Sequence, residues 1–349
     1  MKQKATMADV ARLAGVSPAT AARVIHNNGY VSDENKERVL AAVQETGYRP
    51  NIQARSLRNS RSYTVGVVLS SAVQNPFFTN ISHALRIAAN RSGLSLLNFN
   101  HNYDARMERD GLQRFIEHNV EAVILCHALA PEHLKPVHAV GIPVVEIERT
   151  RVSEAARVKI DPRPGMQAAL KDLVAKGHRR IAFLAGMAGI TNRPGSTPLD
   201  SDHDRRNAFL EVAQACGLDA ASLIVSEGPY DTPSVEDPLE GLTRGRALLT
   251  AAERPTAVIA GSDLLAAGLL QAALELGLRV PEDLSVIGYD DSIARFLAPA
   301  LSSIRQPFEA IGEAAIELAL SPITAGQGPQ SRSLATTYVP RQSVGPVPG

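Results

Sequence analysis

The first 48 residues place apolar side chains at the three-to-four-residue spacing of short amphipathic helices. The spacing predicts three helices, over 7–14, from 18 to about 27, and over 33–46. A hydroxyl residue that can cap a helix N-terminus precedes each one. The first two helices, joined by a tight turn at Gly15-Val16, form a helix-turn-helix on which the third can pack. The apolar residues expected to make this packing are Val10, Leu13, Val24, Val39, Leu40 and Val43.

From Tyr63 onward, short β-branched runs alternate with amphipathic helical patterns. Strands are predicted at 64–69, 94–99, 121–125, 143–147, 180–184, 222–225, 256–260 and 284–289, with another near 336–340. Helices are predicted at about 77–92, 105–118, 131–140, 162–176, 203–216, 239–252 and 263–276. This alternation is typical of an α/β fold with parallel sheets covered by helices on both faces. So many units favour two doubly wound lobes over one overlong sheet.

Composition narrows the class of protein. At 349 residues the chain exceeds the size of a single core, and its hydrophobic content of 44% is ordinary for a globular protein. The N-terminal segment has no apolar run of the kind found in secretory signals, so we expect a cytoplasmic protein. Cys126 and Cys216 both lie in apolar stretches and are expected to be buried free thiols.

The net charge of zero hides an asymmetry between the two parts of the chain. Residues 1–62 carry ten Lys/Arg and five Asp/Glu, which leaves 26 basic and 31 acidic residues for the remainder. A basic head indicates a negatively charged partner such as DNA, although a solvated helical subdomain has the same pattern. Residues 52–58 would form about two helical turns, too short to be stable alone. With Arg55, Arg58 and an exposed Leu57, this helix suits a DNA minor groove.

Five ordered segments resemble the lactose-repressor (LacI/GalR) family of bacterial transcription regulators. They are ADVARLAGVSPATAARVIHNNGYVS, GYRPNIQARSLR, YTVGVVLSSAVQNPFF, AVIAGSDLLAAGLLQAALELGLRVPEDLSVIGYDDS and LSSIRQPFEAIGEAA. The resemblance spans essentially the whole chain. It implies a helix-turn-helix DNA-binding domain over 1–50, a hinge helix and linker over 51–62, a periplasmic-binding-protein-like body over 63–341 and a tail over 342–349. The body would consist of an N-lobe (about 63–160 and 292–321) and a C-lobe (about 161–291 and 322–341).

By this resemblance, the second helix enters the DNA major groove by its N-terminal end. Pro18 and Ala19 fall at base-reading positions but offer no side-chain donors, which leaves Arg23 as the main direct reader. Leu57 matches the leucine that opens the central base step. The DNA-binding positions implied are Ser17, Pro18, Ala19, Thr20, Arg23, Asn28, Asn51, Arg55, Leu57 and Arg58.

Polar residues at predicted strand ends or early in the following helices indicate a ligand site in the body: Asp161, Arg205, Asp263 and Asp290. Fixed Asp and Arg groups beside aromatic faces suit a polyhydroxylated ligand in an inter-lobe cleft. The alternatives are a core position for Phe78, a helix cap for Asp263 and a loop-fixing role for Asp291. The resemblance implies effector-binding roles for eight positions: Phe77, Phe78, Glu148, Arg205, Tyr230, Ser262, Asp290 and Phe308. The strand-end pattern adds Asp161 to this set.

An enzyme and a stand-alone sugar-binding protein are the competing functions. The chain has no GxGxxG, Walker or GxSxG motif, and His127, His133 and His138 lack metal-ligand spacing, so we expect neither cofactor nor metal. A stand-alone binding protein would not carry the basic head. We therefore expect a transcriptional repressor of double-stranded operator DNA, controlled by a sugar or sugar derivative. The final RQSVGPVPG is too short for a tetramerising heptad segment, which favours a homodimer on a pseudo-palindromic operator.

Overall fold

The computed structural model describes residues 5–26, 28–48, 61–70, 76–102, 104–126, 129–148, 155–186, 200–230, 239–321 and 328–349, without the side chains of 200–202. The chain forms two compact units, residues 1–62 and 63–349. The predicted hinge positions Asn51, Arg55, Leu57 and Arg58 lie outside the described residues. None of the described helices combines the length and apolarity that crossing a bilayer requires.

The first unit contains the three predicted helices, α1 (Met7–Ala14), α2 (Pro18–Ile25) and α3 (Asp33–Thr46). Thr6 and Asp9 form a reciprocal capping box at the start of α1, and Gly15 ends that helix with a φ of 63°. The Ser17 hydroxyl accepts a hydrogen bond from the Thr20 backbone N–H at 3.1 Å and so caps α2. Local sequence signals therefore fix both ends of the helix-turn-helix pair.

Small residues dominate the core of the first unit. Its buried members are Val10, Ala11, Ala14, Ala21, Val39 and Ala42. Leu13 and Leu40 were expected in this core, but they are 49% and 47% exposed. The buried stripe of α3 runs through Val39, Ala42 and the half-buried Val43, at i, i+3 and i+4 spacing, which turns Leu40 outward.

The second unit, residues 63–349, is built from two sheets and the helices that cover them. Its described strands are β1 Thr64–Leu69, β2 Ser95–Asn100, β3 Ala122–Leu125, β4 Val144–Ile147, β5 Ala156–Asp161, β6 Ile181–Gly186, β7 Leu223–Gly228, β8 Ala257–Ala260, β9 Ser285–Asp290, β10 Ser302–Arg305, β11 Ser331–Ala335 and β12 Thr337–Val339. Its described α-helices are α4 Pro76–Arg91, α5 Ala105–Glu117, α6 Lys135–Ala139, α7 Arg163–Ala175, α8 Asp200–Ala215, α9 Glu240–Leu249, α10 Asp263–Glu275 and α11 Phe308–Leu320. Short 3-10 helices cover Pro131–Leu134, Ala220–Ser222 and Ala294–Phe296.

The strands pair into two six-stranded sheets, which define the two lobes. The first sheet has the order β11-β5-β4-β3-β1-β2, and the second has the order β12-β10-β9-β8-β6-β7. All described pairs are parallel except β10 with β12. Buried hydrophobic clusters lie against both sheets, with two clusters in each lobe. The predicted α/β architecture of doubly wound parallel sheets is confirmed.

Strand pairing differs from the predicted lobe bounds near the C-terminus. Strand β10 pairs with β9 in the second sheet, although 292–321 was assigned to the N-lobe. Strand β11 pairs with β5 in the first sheet, although 322–341 was assigned to the C-lobe. Both strands are rich in serine, and neither was predicted, because their short polar patterns identify neither a strand nor its sheet. The chain therefore crosses between the lobes after Asp161, between β10 and α11, and at Thr336.

The end of the chain also belongs to the second lobe. The Val286 N–H donates to the Ser343 carbonyl at 2.8 Å, and the Gly345 N–H donates to Ser285 Oγ at 3.0 Å. The buried His178 ring lies with Nε2 3.0 Å from the Gly345 carbonyl oxygen. These contacts attach the predicted tail to the N-terminal end of β9 in the second lobe.

Candidate functional site

Most of the predicted DNA-reading residues of the first unit are exposed to solvent. Pro18, Ala19 and Arg23 are exposed on α2, as are Ser17 before it and Asn28 after it. Thr20 is half-buried, with its hydroxyl 2.9 Å from that of Ser17. The buried Ala21 anchors the opposite side of α2 to the core. The N-terminal end of α2 is thus presented to solvent with few bulky side chains, which allows close approach to a DNA groove.

Arg205 occupies the centre of the ligand site predicted in the body. It lies on α8, is 7% exposed, and stacks over the Tyr289 ring at 4.2 Å from the centroid. Its Nη1 donates to the Gly261 carbonyl at 2.8 Å, and its Nη2 donates to Glu148 Oε1 at 2.5 Å. Burial opposes its charge, but the neighbouring Tyr230, Glu148, Tyr289 and Asp290 together outweigh burial and hold the Arg205 pKa above its usual value. The guanidinium is therefore a fixed cation in a desolvated site.

The pair of Arg205 and Glu148 connects the two lobes. Glu148 follows β4 of the first sheet, with a φ of 66°, and its N–H donates to the Val158 carbonyl at 2.8 Å. Arg205 belongs to a helix that covers the second sheet. The ion pair therefore joins the carboxyl end of a strand in the first sheet to a helix packed on the second sheet.

Asp290 is the second carboxylate beside Arg205. It ends β9 with a φ of 93°, and its Oδ1 lies 3.8 Å from Arg205 Nη1 and accepts a hydrogen bond from Gln306 Nε2 at 2.6 Å. Burial raises the pKa of Asp290 to about 7, although Arg205 lowers it. Asp290 can therefore be protonated near neutrality and can either donate or accept a hydrogen bond.

Tyr230 closes the same site from the end of β7. Its hydroxyl accepts a hydrogen bond from Arg205 Nη1 at 3.4 Å. The ring lies where a side chain at Gly186 would be, since a Cβ there would come within 2.1 Å of Tyr230 Cε1. Glycine at the end of β6 is thus required for the aromatic wall to pack here.

A cavity of about 270 Å³ opens beside Arg205. Asp161 lies on its wall at the end of β5, with Oδ1 accepting a hydrogen bond from the Arg163 N–H at 3.0 Å. Three acidic and three basic side chains line it, so its formal charges balance. The lining residues are Glu148, Lys159, Ile160, Asp161, Pro162, Arg163, Asp204, Arg205, Tyr289 and Ser333.

Ser262, Asp263 and Asp291 have structural contacts. Ser262 rather than Asp263 caps α10, accepting a hydrogen bond from the Leu265 N–H at 3.1 Å. The buried Asp263 accepts hydrogen bonds from the Ser292 N–H at 2.6 Å and from Ser303 Oγ at 2.7 Å. Asp291 fixes its loop by pairing with two arginine side chains, each at 2.7 Å: Arg305 and Arg341.

The three predicted phenylalanines pack with one another in the first lobe. The centroid of the Phe77 ring lies 5.2 Å from that of Phe78 and 5.9 Å from that of Phe308. Phe77 and Phe78 are buried in the core between the first sheet and its helices, as the alternative interpretation of Phe78 expected. None of the three is among the residues that line the cavity beside Arg205.

Comparison with known proteins identifies the family. Residues 6–51 match the lacI family of bacterial regulatory proteins, and residues 170–344 match the periplasmic binding protein-like domain. The HTH-type transcriptional repressor PurR of Erwinia tasmaniensis is 30% identical over 347 residues, covering 97% of each chain. The ribose operon repressor of Haemophilus influenzae is 31% identical, covering 97% of this chain and 98% of the other.

The chain belongs to the lacI family of bacterial regulatory proteins. A crystal structure of the Lac repressor dimer bound to operator and an anti-inducer matches this LacI-family chain with a TM-score of 0.74 and 26% identity, covering 98% and 99% of the two chains. A complex of the transcriptional regulator CelR with cellobiose matches with a TM-score of 0.66 and 28% identity, covering 97% and 99%. The chain is thus a DNA-binding transcriptional repressor with a small-molecule effector rather than an enzyme, which confirms the predicted function.

Sequence reasoning missed three residues that shape the ligand site of this LacI-family repressor. Tyr289 carries the stacking surface for Arg205, and Gln306 holds Asp290. Arg244 binds the carbonyls at the ends of β6 and β7. The position of Tyr289 directly before Asp290 was an available signal, whereas Gln306 and Arg244 act through neighbours distant in sequence. Among the described residues, no group of three or more His, Cys, Asp or Glu side chains is arranged to hold a metal ion.

Proposed function

We propose that this chain represses transcription as a cytoplasmic homodimer on a pseudo-palindromic operator, with α2 in the major groove. The exposure of Ser17 at the start of α2 and of Arg23 in its last turn supports this role, because Ser17 can then approach a phosphate and Arg23 a base edge. We assign residues 51–58 to the minor groove of the operator, because their sequence is that of a short basic helix with an exposed leucine. The likeness to the Lac repressor dimer bound to operator supports the dimeric arrangement.

We infer further that the effector is a small neutral polyhydroxylated molecule, such as a sugar, bound beside Arg205. The observation that carries this assignment is the buried Arg205, which meets carboxyl groups from both lobes. Hydroxyl groups can replace or bridge these contacts, because each hydroxyl can both donate and accept a hydrogen bond. Because Glu148 already pairs with the guanidinium and the lining charges balance, an anionic ligand would leave a carboxylate unpaired in a buried site.

Effector binding would act through the equilibrium between open and closed lobes. A ligand that contacts residues from both sheets binds the closed form better, and this difference in affinity shifts the equilibrium. The two forms would differ in their affinity for operator DNA. The ligand and the operator are then thermodynamically coupled, and each changes the affinity for the other by the same factor.

A thermal-shift screen of neutral sugars, sugar acids and nucleosides tests the effector assignment. A ligand present at 100 times its dissociation constant should stabilise the protein by about 2.7 kcal/mol. The variant Arg205→Lys should lose that stabilisation. The matched variant Arg206→Lys should keep it, because Arg206 is the adjacent residue and pairs instead with Glu227 at 2.7 Å.

Each ligand found in this screen is then titrated into a complex of the repressor with its operator. A change in operator affinity that is lost in Arg205→Lys supports the proposed switch. Stabilisation by sugar acids alone would contradict the neutral effector. A ligand that binds and leaves operator affinity unchanged would contradict control through this site.

A further inference from the structure

Arg244 makes three hydrogen bonds to backbone carbonyls in the second lobe. It lies on α9, and its Nη1 donates to the carbonyl oxygens of Ala185 at 2.6 Å and Ser226 at 3.1 Å. Its Nη2 donates to the carbonyl oxygen of Pro229 at 2.9 Å. Ala185 belongs to β6, Ser226 belongs to β7, and Pro229 follows β7 directly. One guanidinium therefore connects the carboxyl ends of two neighbouring parallel strands.

The surroundings of Arg244 hold its side chain in this position. The side chain is 12% exposed, and Glu240 Oε2 lies 3.2 Å from its Nε, which compensates the charge. A Cβ at Gly228 would come within 2.9 Å of Arg244 Cδ, so the arginine runs directly along the strand backbone. Hydrogen bonds from a charged donor are stronger than neutral ones, and the planar guanidinium fixes the direction of several at once.

The carbonyl of Pro229 belongs to the peptide group that leads into Tyr230. The Tyr230 ring packs against the backbone at Gly186, and its hydroxyl accepts the hydrogen bond from Arg205. Arg244 thus binds the carboxyl ends of both strands that Tyr230 contacts: β7, which it follows, and β6, on which its ring packs. Tyr230 is in contact with Arg205, and Arg244 donates to the backbone carbonyls on either side of it and lies beside Glu240.

We propose that Arg244 is a positioning residue for the effector site: by fixing the ends of β6 and β7 it sets Tyr230 against Arg205. This inference rests on the proposed function in one respect, namely that the effector binds beside Arg205. Arg244 then determines effector affinity through Tyr230, in addition to any contribution to the stability of the fold.

Hydrogen–deuterium exchange tests the positioning without any effector. In Arg244→Met, the backbone amides of residues 223–230 should exchange at least several-fold faster, while those of the central strand β8 keep their rates. The matched variant is Arg246→Met, which removes an exposed arginine of the same helix that pairs with Glu275. Equal exchange of residues 223–230 in the two variants would overturn the proposal. If Arg244→Met does not fold, Arg244→Lys replaces it, since lysine keeps the charge but cannot bind three carbonyls in a fixed plane.

Effector affinity provides the second measurement, with D-ribose, D-glucose, D-galactose and cellobiose as the probes. For a sugar that the natural chain binds, Arg244→Met should raise Kd at least tenfold, Arg244→Lys should raise it less, and Arg246→Met should change it less than twofold. In a Tyr230→Ala background, Arg244→Met should add less than twofold, because the two residues act through one contact. An undiminished effect in that background would overturn the link through Tyr230. If the natural chain binds none of the four sugars, the exchange measurement alone decides the role of Arg244.

Discussion

At the residue scale, the protonation of Asp290 couples the ligand site to pH. Burial raises its pKa from an ordinary 3.8 to about 7, so between these values the folded state binds more protons than the unfolded state. Stability from this group is therefore greatest in acid and is lost as the pH rises through about 7. The nearby Arg205 opposes the shift without abolishing it.

The variant Asp290→Asn should remove this pH dependence while keeping an oxygen that can accept from Gln306. Relative to the natural chain, the variant should gain on the order of 2–3 kcal/mol of unfolding free energy between pH 5 and pH 8. Urea denaturation at both pH values measures the difference. A constant difference between the two proteins across this range would mean that Asp290 is charged throughout.

His178 gives the opposite pH dependence at the other end of the second lobe. Its ring lies 2.9 Å from Thr256 Oγ1 through Nδ1, and its Nε2 faces Ser285 and Gly345. Burial lowers its pKa below the ordinary 6.5. The unfolded state therefore binds more protons, and stability is lost as the pH falls below about 6.5.

We expect His178→Gln to flatten the fall in unfolding free energy between pH 7.5 and pH 5.5. The variant should be less stable than the natural chain at pH 7.5, because the docked C-terminal segment loses a hydrogen-bonding partner. The exposed His83 provides the control, and His83→Gln should follow the natural chain at every pH. If His178→Gln retains the full pH dependence, another group causes it.

At the element scale, α2 combines a buried alanine with an exposed arginine, and this division predicts the effect of substitution. Arg23→Ala should weaken operator binding by about 1–3 kcal/mol, the cost of losing a bidentate contact to a base, while affinity for random DNA changes little. Fluorescence anisotropy with both DNAs at fixed salt measures this ratio. Arg12→Ala is the matched control, because Arg12 is an exposed arginine of α1 paired with Asp9. Equal losses on both DNAs in Arg23→Ala would assign Arg23 to phosphate contact.

Elements were predictable from the sequence where caps and apolar periodicity agree, and less so elsewhere. The three helices of the head and the strands β1 to β4 lie within one or two residues of their predicted positions. Strand β5 alternates apolar and charged residues over 156–161, a strand signal that was nevertheless missed, whereas α11 contains apolar residues on most of its surface and gives a weaker helical period. Leu13 and Leu40 were misplaced because small alanines allow closer helix packing than a leucine stripe would.

At the scale of the whole molecule, the site combines residues whose proximity depends on how the sheets are assembled. Arg205 and Asp290 were predictable as polar groups at the carboxyl end of a parallel sheet. The contact of Arg205 with Glu148 depends on two lobes meeting, which strand patterns do not encode. The same holds for β10 and β11, whose sheet is set by the path of the chain through Thr336. Aromatic side chains are suited to line a sugar site, and this is why Phe77 and Phe78 were predicted there. The structure places both of them in the core of the first lobe.

The pair of Arg205 and Glu148 leads to a prediction about lobe closure. Both side chains are 9% exposed and they come from different lobes, so the pair stabilises the closed arrangement. Glu148→Gln removes one charge of a buried pair, a change that costs about 3–5 kcal/mol when the other charge stays buried. Opening of the lobes lets Arg205 regain water and avoids part of this cost. The variant should therefore populate a more open body, seen as a larger radius of gyration of residues 63–349 by small-angle X-ray scattering.

Glu211→Gln distinguishes this effect from a general loss of charge. Glu211 pairs with Arg163 at 3.2 Å, but both residues belong to helices of the second lobe and both are exposed. Its loss should leave the radius of gyration unchanged, because an exposed pair within one lobe contributes about 0–1 kcal/mol and does not join the lobes. A sugar that binds beside Arg205 should then close Glu148→Gln again, since its hydroxyl groups replace the missing contact. If Glu148→Gln is as compact as the natural chain, the lobes are held together by apolar packing and the crossover segments, and the ion pair orients Arg205 without controlling closure.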